Sequence, residues 1–352
     1  MLVPNRICRG YIGGREIDKF RGVDFPKDDN SPEAWVGSTT YTYHHQSDHS
    51  SKLGLAEAYV EGAKKAYLKD IIETDPAAYL GERHLAKFGG NTALLVKLLD
   101  AQQQLGLQTH PDRSFAKRYF NSDYGKVESW YVIGTRKDQA EQPYVLLGFK
   151  EGITRDIFER LFLEDNIVEM EKWCHKIPVS EGDMYFVDAG TPHAVGPGCF
   201  VIEAQEPSDI TVGARMGNFD NKAERELFIE RTMGCYHYIG RSYRDNLAAY
   251  KVEQKLLTKT NGGMEYLLLG SSHTSFFSIT RVDVMSNMTV PYRETFSILI
   301  VIGGKGKIIC DTQKLDIKQG DELFLPANVK NMSFESNGGM LSCIMCYPPE
   351  VL

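Results

Sequence analysis

The spacing of apolar positions divides the chain into four regions. Over residues 62–100 it predicts helix, with Leu68, Ile71 and Ile72 on one side of a 3.6-residue period and Thr92 preceding the next apolar run. That run, Ala93-Leu94-Leu95-Val96-Lys97-Leu98-Leu99, is short and almost wholly apolar, so it reads equally well as a buried strand. Between residues 105 and 215 strands are predicted over 105–110, 125–134, 143–148 and 198–205, with 209–215 continuing the last. Amphipathic helices are predicted over 114–119, 153–163 and 166–175, the last with Asp165 or Asn166 near its N-cap, and another opens at Asn221-Lys222-Ala223-Glu224 and ends at Gly234. The final hundred residues carry six β-branched, aromatic runs, 266–269, 276–284, 296–302, 307–310, 322–325 and 340–346, which predict a sandwich or barrel. Residues 1–50 read as short strands and loops punctuated by Gly13-Gly14 and Ser31-Pro32.

Alternation also sorts polar side chains. Gln108 and His110 are two apart and share a face if extended, and Pro111 then ends the strand. Lys126, Glu128, Trp130 and Val132 share a face in the same way, so an inward Glu128 brings Lys126 with it. Residues 182–195, GDMYFVDAGTPHAV, drive a strand into a tight turn and present His193 just beyond Gly190 and Pro192, whose backbone preferences aim the ring in advance. This turn resembles the second conserved motif of the cupin superfamily, G-x5-P-x-G-x2-H, with Gly182, Gly190 and His193 in register and Asp188 in place of the proline. Residues 320–331 repeat it, Gly320 matching Gly182 and Asn331 matching His193. The expected fold is therefore mainly β with helical insertions, two cupin (jelly-roll-like) barrels of which the second lacks metal ligands. The expected domains are 1–235, metal-binding, and 236–352, metal-free.

Composition narrows the partners. Of 352 residues, 42% are hydrophobic and 25% charged, ordinary for a globular protein, and the formal net charge of −7 argues against nucleic acid or an acidic membrane surface. A local basic pocket for a phosphate is compatible with that balance. Seven scattered cysteines do not form a disulfide framework, and the Cys343/Cys346 pair reads as core of a terminal strand. The N-terminus lacks a signal-peptide pattern and the longest apolar stretch, 296–302, is too short to span a bilayer, so a soluble, cytoplasmic protein is expected. His44, His45 and His49 sit among polar loop formers and read as an exposed loop.

The inward polar residues, gathered together, are Gln108, His110, Glu128 and His193. Two imidazoles, a carboxylate and an amide oxygen suit one divalent first-row metal with a coordination position left open; Zn²⁺ is favoured, and Mn²⁺, Fe²⁺ and Co²⁺ use the same donors. Lys97, if buried, needs a partner or a cavity, unless its head snorkels to the surface.

Three segments, LLVKLLDAQQQLGLQTHPDRSFAKRYF, GKVESWYVIGT and GTPHAVGPGCFVIEAQEPSD, together resemble the type I mannose-6-phosphate isomerases across roughly residues 85–220. The resemblance implies a catalytic zinc on Gln108, His110, Glu128 and His193, a small hexose phosphate as substrate, and interconversion of mannose 6-phosphate and fructose 6-phosphate through an enediol. It points to Lys126 as acid/base and to Lys97 as a second cation. That family carries an arginine four residues after the Asp of its S-D motif, where this chain has Gly213; Arg215 is the nearest guanidinium, and a bulge at Gly213 would bring it into the site. Two other readings stay open: a different cupin metalloenzyme such as an Fe²⁺ oxygenase, and a sugar-phosphate-binding or regulatory protein that kept the site without catalysis.

Overall fold

The computed structural model describes residues 1–43, 51–311 and 313–350, and its strands build two pairs of facing sheets. The first six-stranded sheet runs in the order Arg6–Ile7, Glu33–Val36, Leu95–Asp100, Cys199–Gln205, Glu128–Thr135, Met184–Val187. Facing it are Val212–Gly213, Gln108–Thr109, His193–Val195, Tyr144–Lys150 and Gly240–Arg241, with Cys174–Pro178 also paired to Tyr144–Lys150. The second half repeats the plan: Lys255–Lys259, Gly263–Leu269, Ser278–Val284, Leu341–Tyr347, Ser297–Gly303 and Glu322–Leu325 form one sheet, and Asn287–Thr289, Met332–Ser336, Lys305–Cys310 and Gln313–Lys318 the other. Gly182 and Gly320 share even their backbone angle, φ 90°.

Period-two alternation explains how the halves join. Leu99, Trp130, Val132 and Val201 point into the first barrel, against Leu147 and Val195. Val96, Leu98, Tyr131, Ile202 and Ala204 point out of it and pack on Ile279, Ile298, Ile300, Ile344 and Cys346 of the second. Each large sheet is thus buried on both faces, which is why its strands read as unbroken apolar runs. The stretch that reads as helix or strand resolves accordingly: Leu95–Asp100 is a fully buried strand, while Leu68–Thr74, Pro76–Leu80 and Glu82–Phe88 are short helices.

On the outer face of the first barrel, Phe158, Phe162, Met170 and Met233 cover the smaller sheet from helices Arg155–Leu163, Ile167–Lys172 and Lys222–Cys235. Thr154, Asn166 and Asn221 cap these helices by accepting from the backbone N–H three residues on. The middle helix is shorter than expected, because the chain leaves it to form the strand Cys174–Pro178. Residues 209–215 do not continue the preceding strand either. Pro207 has no N–H for a ladder, and the chain crosses to the other sheet to pair Val212–Gly213 with Gln108–Thr109.

Residues 236–252 stay with the first barrel rather than the second. Gly240–Arg241 pairs with Tyr144–Lys150, and Val252 donates its N–H to the Met184 carbonyl at 2.8 Å. Gly234 punctuates the sequence, but the barrel is not closed until Val252, so we place the domain boundary between Val252 and Lys255. The N-terminus ties the halves together, since Leu2 N–H donates to the Glu322 carbonyl at 2.9 Å and the Arg21 guanidinium pairs with the Glu322 carboxylate. All seven cysteines are free, and Cys343 and Cys346 are core residues of Leu341–Tyr347. Among the described residues no helix is long and apolar enough to cross a membrane. His44, His45 and His49 lie outside the described residues.

Candidate metal centre

Two short strands and one tight turn converge at one end of the first barrel. Gln108 lies directly opposite His193 in the antiparallel register, His110 follows two residues on, and Glu128 opens a strand of the facing sheet opposite Val187. The turn before His193 depends on Gly190. Its φ is 76°, its N–H donates to the His110 carbonyl at 2.8 Å, and a Cβ there would meet the His237 ring at 2.3 Å. One glycine thus couples the backbone of one histidine to the approach of the other.

Hydrogen bonds settle the tautomers. Nδ1 of His110 bonds the Ile210 carbonyl and Nδ1 of His193 the Thr191 carbonyl, each at 2.9 Å. A carbonyl only accepts, so both protons sit on Nδ1 and both Nε2 atoms present bare lone pairs, 3.1 Å apart. Glu128 faces both, with Oε2 3.2 Å from His110 Nε2 and Oε1 3.3 Å from His193 Nε2. The Gln108 side-chain amide lies on the same rim, its Nε2 3.4 Å from His193 Nε2. His110, Glu128 and His193 are each 1% exposed. Burial, reinforced by Lys126, lowers the His110 pKa to about 3, and burial lowers that of His193 as well. Burial alone would raise Glu128, but Lys126 and the two rings outweigh it and hold the carboxyl well below its usual range. Neutral imidazoles and an ionised carboxylate, with donor atoms within 4.8 Å of one another, are the donor set a divalent cation requires.

A row of alternating charges runs back from this cluster. Lys126 Nζ lies 2.7 Å from His110 Nε2, 2.6 Å from Glu128 and 4.0 Å from Glu203. Lys97 Nζ bonds Glu203 at 2.8 Å and stands 4.0 Å from Glu33. Arg9 joins Glu33 at 3.0 Å and Asp209 at 2.7 Å. Lys97 does not snorkel: it is buried, and although burial opposes its charge, Glu203 and Glu33 prevail and its pKa lies above the ordinary value. Sequence reasoning missed Arg9, Glu33, Glu203 and Asp209. Glu33 and Glu203 occupy inward strand positions that alternation could have flagged, whereas nothing local marks Arg9, which precedes a glycine in a loop-like segment.

The structure brings together six of the seven expected site residues, Gln108, His110, Glu128, His193, Lys126 and Lys97, and leaves Arg215 out. The expected bulge does not form: Val212 pairs with Thr109, Gly213 with Gln108, and Ala214 N–H continues in register to the Leu107 carbonyl at 2.8 Å. Residue 213, not 215, therefore faces Gln108, and Arg215 is exposed with its charge acting on Glu171 of the helix Ile167–Lys172. Arg113 is taken up by Glu206 at 2.6 Å and by the Phe276 ring, and Lys117 by Asp123.

Comparison with known proteins agrees with this architecture. Residues 5–131 match the phosphomannose isomerase type I catalytic domain, and residues 271–347 match the mannose-6-phosphate isomerase cupin domain. Probable mannose-6-phosphate isomerase GmuF of Bacillus subtilis is 30% identical over 249 residues, 69% of this chain and 71% of that protein. The mannose-6-phosphate isomerase of Streptococcus mutans is 26% identical over 96% of this chain and 95% of its own length. In fold, the crystal structure of the mannose 6-phosphate isomerase from Bacillus subtilis superposes with a TM-score of 0.75 at 21% identity, covering 98% of each chain. A phosphomannose isomerase variant from Salmonella typhimurium gives 0.74 at 15% identity, covering 99% of each. Taken with the two matched domains and the doubled barrel, these similarities make the chain a member of the type I mannose-6-phosphate isomerase family.

Proposed function

We propose that this chain is a metal-dependent aldose–ketose isomerase that interconverts mannose 6-phosphate and fructose 6-phosphate by proton transfer through an enediol. One Zn²⁺ per chain would be held by Gln108, His110, Glu128 and His193. The observation that carries this reading is the pair of bare Nε2 lone pairs facing Glu128, with the Lys126 ammonium touching both His110 and Glu128.

When bound, the ion acts as a Lewis acid that polarises the sugar oxygens without redox change, an effect worth several kcal/mol. The protein's own residues supply the rest. Lys126, lying between Glu128 and Glu203, is the group placed to give or take the proton that moves between C1 and C2. Lys97, kept charged by Glu203 and Glu33, stabilises the negative charge that develops beside it. Burial keeps bulk water from the reacting carbons. A cavity of about 890 Å³ bordered by Thr39, Lys69, Phe120, Tyr124 and Pro207 is roomy enough for a hexose phosphate, though none of the four donors and neither Lys97 nor Lys126 borders it among the described residues.

The test is to reconstitute the protein with Zn²⁺, add mannose 6-phosphate, and follow fructose 6-phosphate together with exchange of the C2 proton into solvent. Activity should persist without oxygen, which separates an isomerase from an oxygenase. His193→Ala should cut turnover by at least about 10³-fold, the factor that several kcal/mol represents, while the circular dichroism spectrum is retained. One observation favours a second reading, a sugar-phosphate-binding protein without catalysis: Gly213 puts no guanidinium beside Gln108. Saturable binding of the sugar phosphate with no C2 exchange would select it.

A further inference from the structure

The strand that carries Glu128 is gripped at its start by a buried carboxylate outside the metal centre. Val127 lies between Lys126 and Glu128, so those two side chains share one face and Val127 turns to the other, where it joins the core between the barrels. Across the sheet Glu128 pairs with Gln205, and the Glu206 N–H donates to the Val127 carbonyl at 3.1 Å. An antiparallel pair of this kind ordinarily exchanges a second bond, from the Val127 N–H back to the Glu206 carbonyl. Here the chain turns away at Pro207, the Gln205 amide donates to the Glu206 carbonyl at 3.1 Å, and the Glu206 carboxylate accepts the Val127 N–H instead, also at 3.1 Å.

The other oxygen of that carboxylate fixes its aim. Oε1 accepts from Arg113 Nε at 2.6 Å, and because Glu206 is 1% exposed, a carboxylate taken out of water depends on that guanidinium. Arg113 opens the helix Arg113–Phe120 only three residues after His110, and the intervening Pro111 carbonyl accepts the Lys126 N–H at 2.9 Å. Glu206 itself follows Glu203 by three residues. One side chain thus stitches together the segments that carry His110, Glu203, and Lys126 with Glu128.

The second barrel seats the guanidinium. Phe276, just before the strand Ser278–Val284, is partly buried against the shared core, and its ring centroid lies 4.2 Å from Arg113 Cζ. A guanidinium stacked on a ring is held by its flat face and keeps its edge N–H groups for a carboxylate. A proton-transfer group and a metal ligand must be held to a fraction of an ångström, and Val127 is the only residue between them. Resting on the reading of Lys126 as acid/base and Glu128 as a ligand, we propose that Glu206 is a positioning residue for both, acting through the backbone of Val127, and that the second barrel contributes to catalysis by seating Arg113 on Glu206 through Phe276.

The experiment titrates the full-length protein with Co²⁺ as the probe of the centre and measures kcat and KM separately on mannose 6-phosphate. Glu206→Ala removes the acceptor from Val127, and Arg113→Met removes the cation from the carboxylate; each should lower kcat and weaken Co²⁺ binding by at least about tenfold, with KM near its wild-type value. Arg113→Lys, which keeps a cation, should recover most of both losses. Phe276→Leu keeps the apolar contact, removes the ring face, and should cost about threefold. Lys117→Met breaks the ion pair that the same helix makes with Asp123 and should change neither quantity. If Glu206→Ala does not fold, the two Arg113 variants, altered at the partly exposed partner, decide. A melting temperature that drops in Arg113→Met while kcat and Co²⁺ affinity hold would make the clamp merely structural and overturn the proposal. So would a lysine that does no better than methionine, a matching loss in Lys117→Met, or a Phe276→Leu protein indistinguishable from wild type. A wild type that binds Co²⁺ yet turns over no sugar phosphate would instead sink the isomerase reading, and the Co²⁺ affinities alone would then judge the clamp.

Discussion

At the scale of single residues, the chemistry of this site is written in protonation states. His110 is held near pKa 3 in the folded protein against about 6.5 in an unfolded chain, so between those values the unfolded state binds a proton that the folded state refuses. Stability should therefore be whole above pH 6.5 and drain away as the pH falls toward 3. Because His193 and Glu128 are also depressed, their loss has the same sign. For the metal-stripped protein, urea unfolding at pH 5 should give a free energy lower by at least about 2 kcal/mol than at pH 7.5, and His110→Gln should flatten that slope. Gly213 offers a second check. It is absent from the positive-φ positions, and a Cβ there would meet nothing within 4 Å, so Gly213→Arg should fold with its melting temperature little changed. Under the isomerase reading it should raise kcat, measured on mannose 6-phosphate, because it adds a cation opposite Gln108. Much of this was legible beforehand: Gln108 and His110 two apart, Glu128 sharing a face with Trp130, and His193 beyond its glycine turn all follow from the pleat. Arg9 was not, because its meaning comes from Glu33 and Asp209, which lie 24 and 200 positions away.

At the scale of elements, the short helix Arg15–Phe20 illustrates how a buried charge fixes a chain entry. The Asp100 carboxylate accepts from the N–H groups of Gly14 and Glu16 at 2.8 Å each, and from Arg136 at 2.9 and 2.6 Å, while Arg136 also pairs with Asp28. Burial pushes the Asp100 pKa up, and Arg136, helped by the Glu16 and Gly14 N–H groups, opposes it. Arg136→Met should cost about 3–5 kcal/mol in chemical denaturation, since it strands a fully buried carboxylate, and the double change Arg136→Met with Asp100→Leu should recover part of the loss. Elements of this size were read unevenly. Helices with a Thr or Asn cap announced themselves, and six of the ten described strands of the second barrel stood out as apolar runs. The strands Lys255–Lys259 and Gln313–Lys318 did not, because their residues are mostly exposed and carry no alternating signal. The strand Leu95–Asp100 could not be told from a helix, since burial on both faces erases period two.

At the scale of the whole molecule, the shared core makes the two barrels energetically one body. Ile300 points from the second barrel into the cluster that also holds Ile202 and Tyr131 of the first. Ile300→Ala should cost about 2–5 kcal/mol, and near-ultraviolet and far-ultraviolet signals should still fall together in one transition. Separate transitions would show that the barrels unfold independently. The bond from the Leu2 N–H to the Glu322 carbonyl has a consequence for synthesis. Translation delivers the donor 320 positions before the acceptor, so the knot cannot be tied until most of the second barrel has been made. Until then the outward face of the first large sheet stays bare on the nascent chain, a greasy surface awaiting its mate.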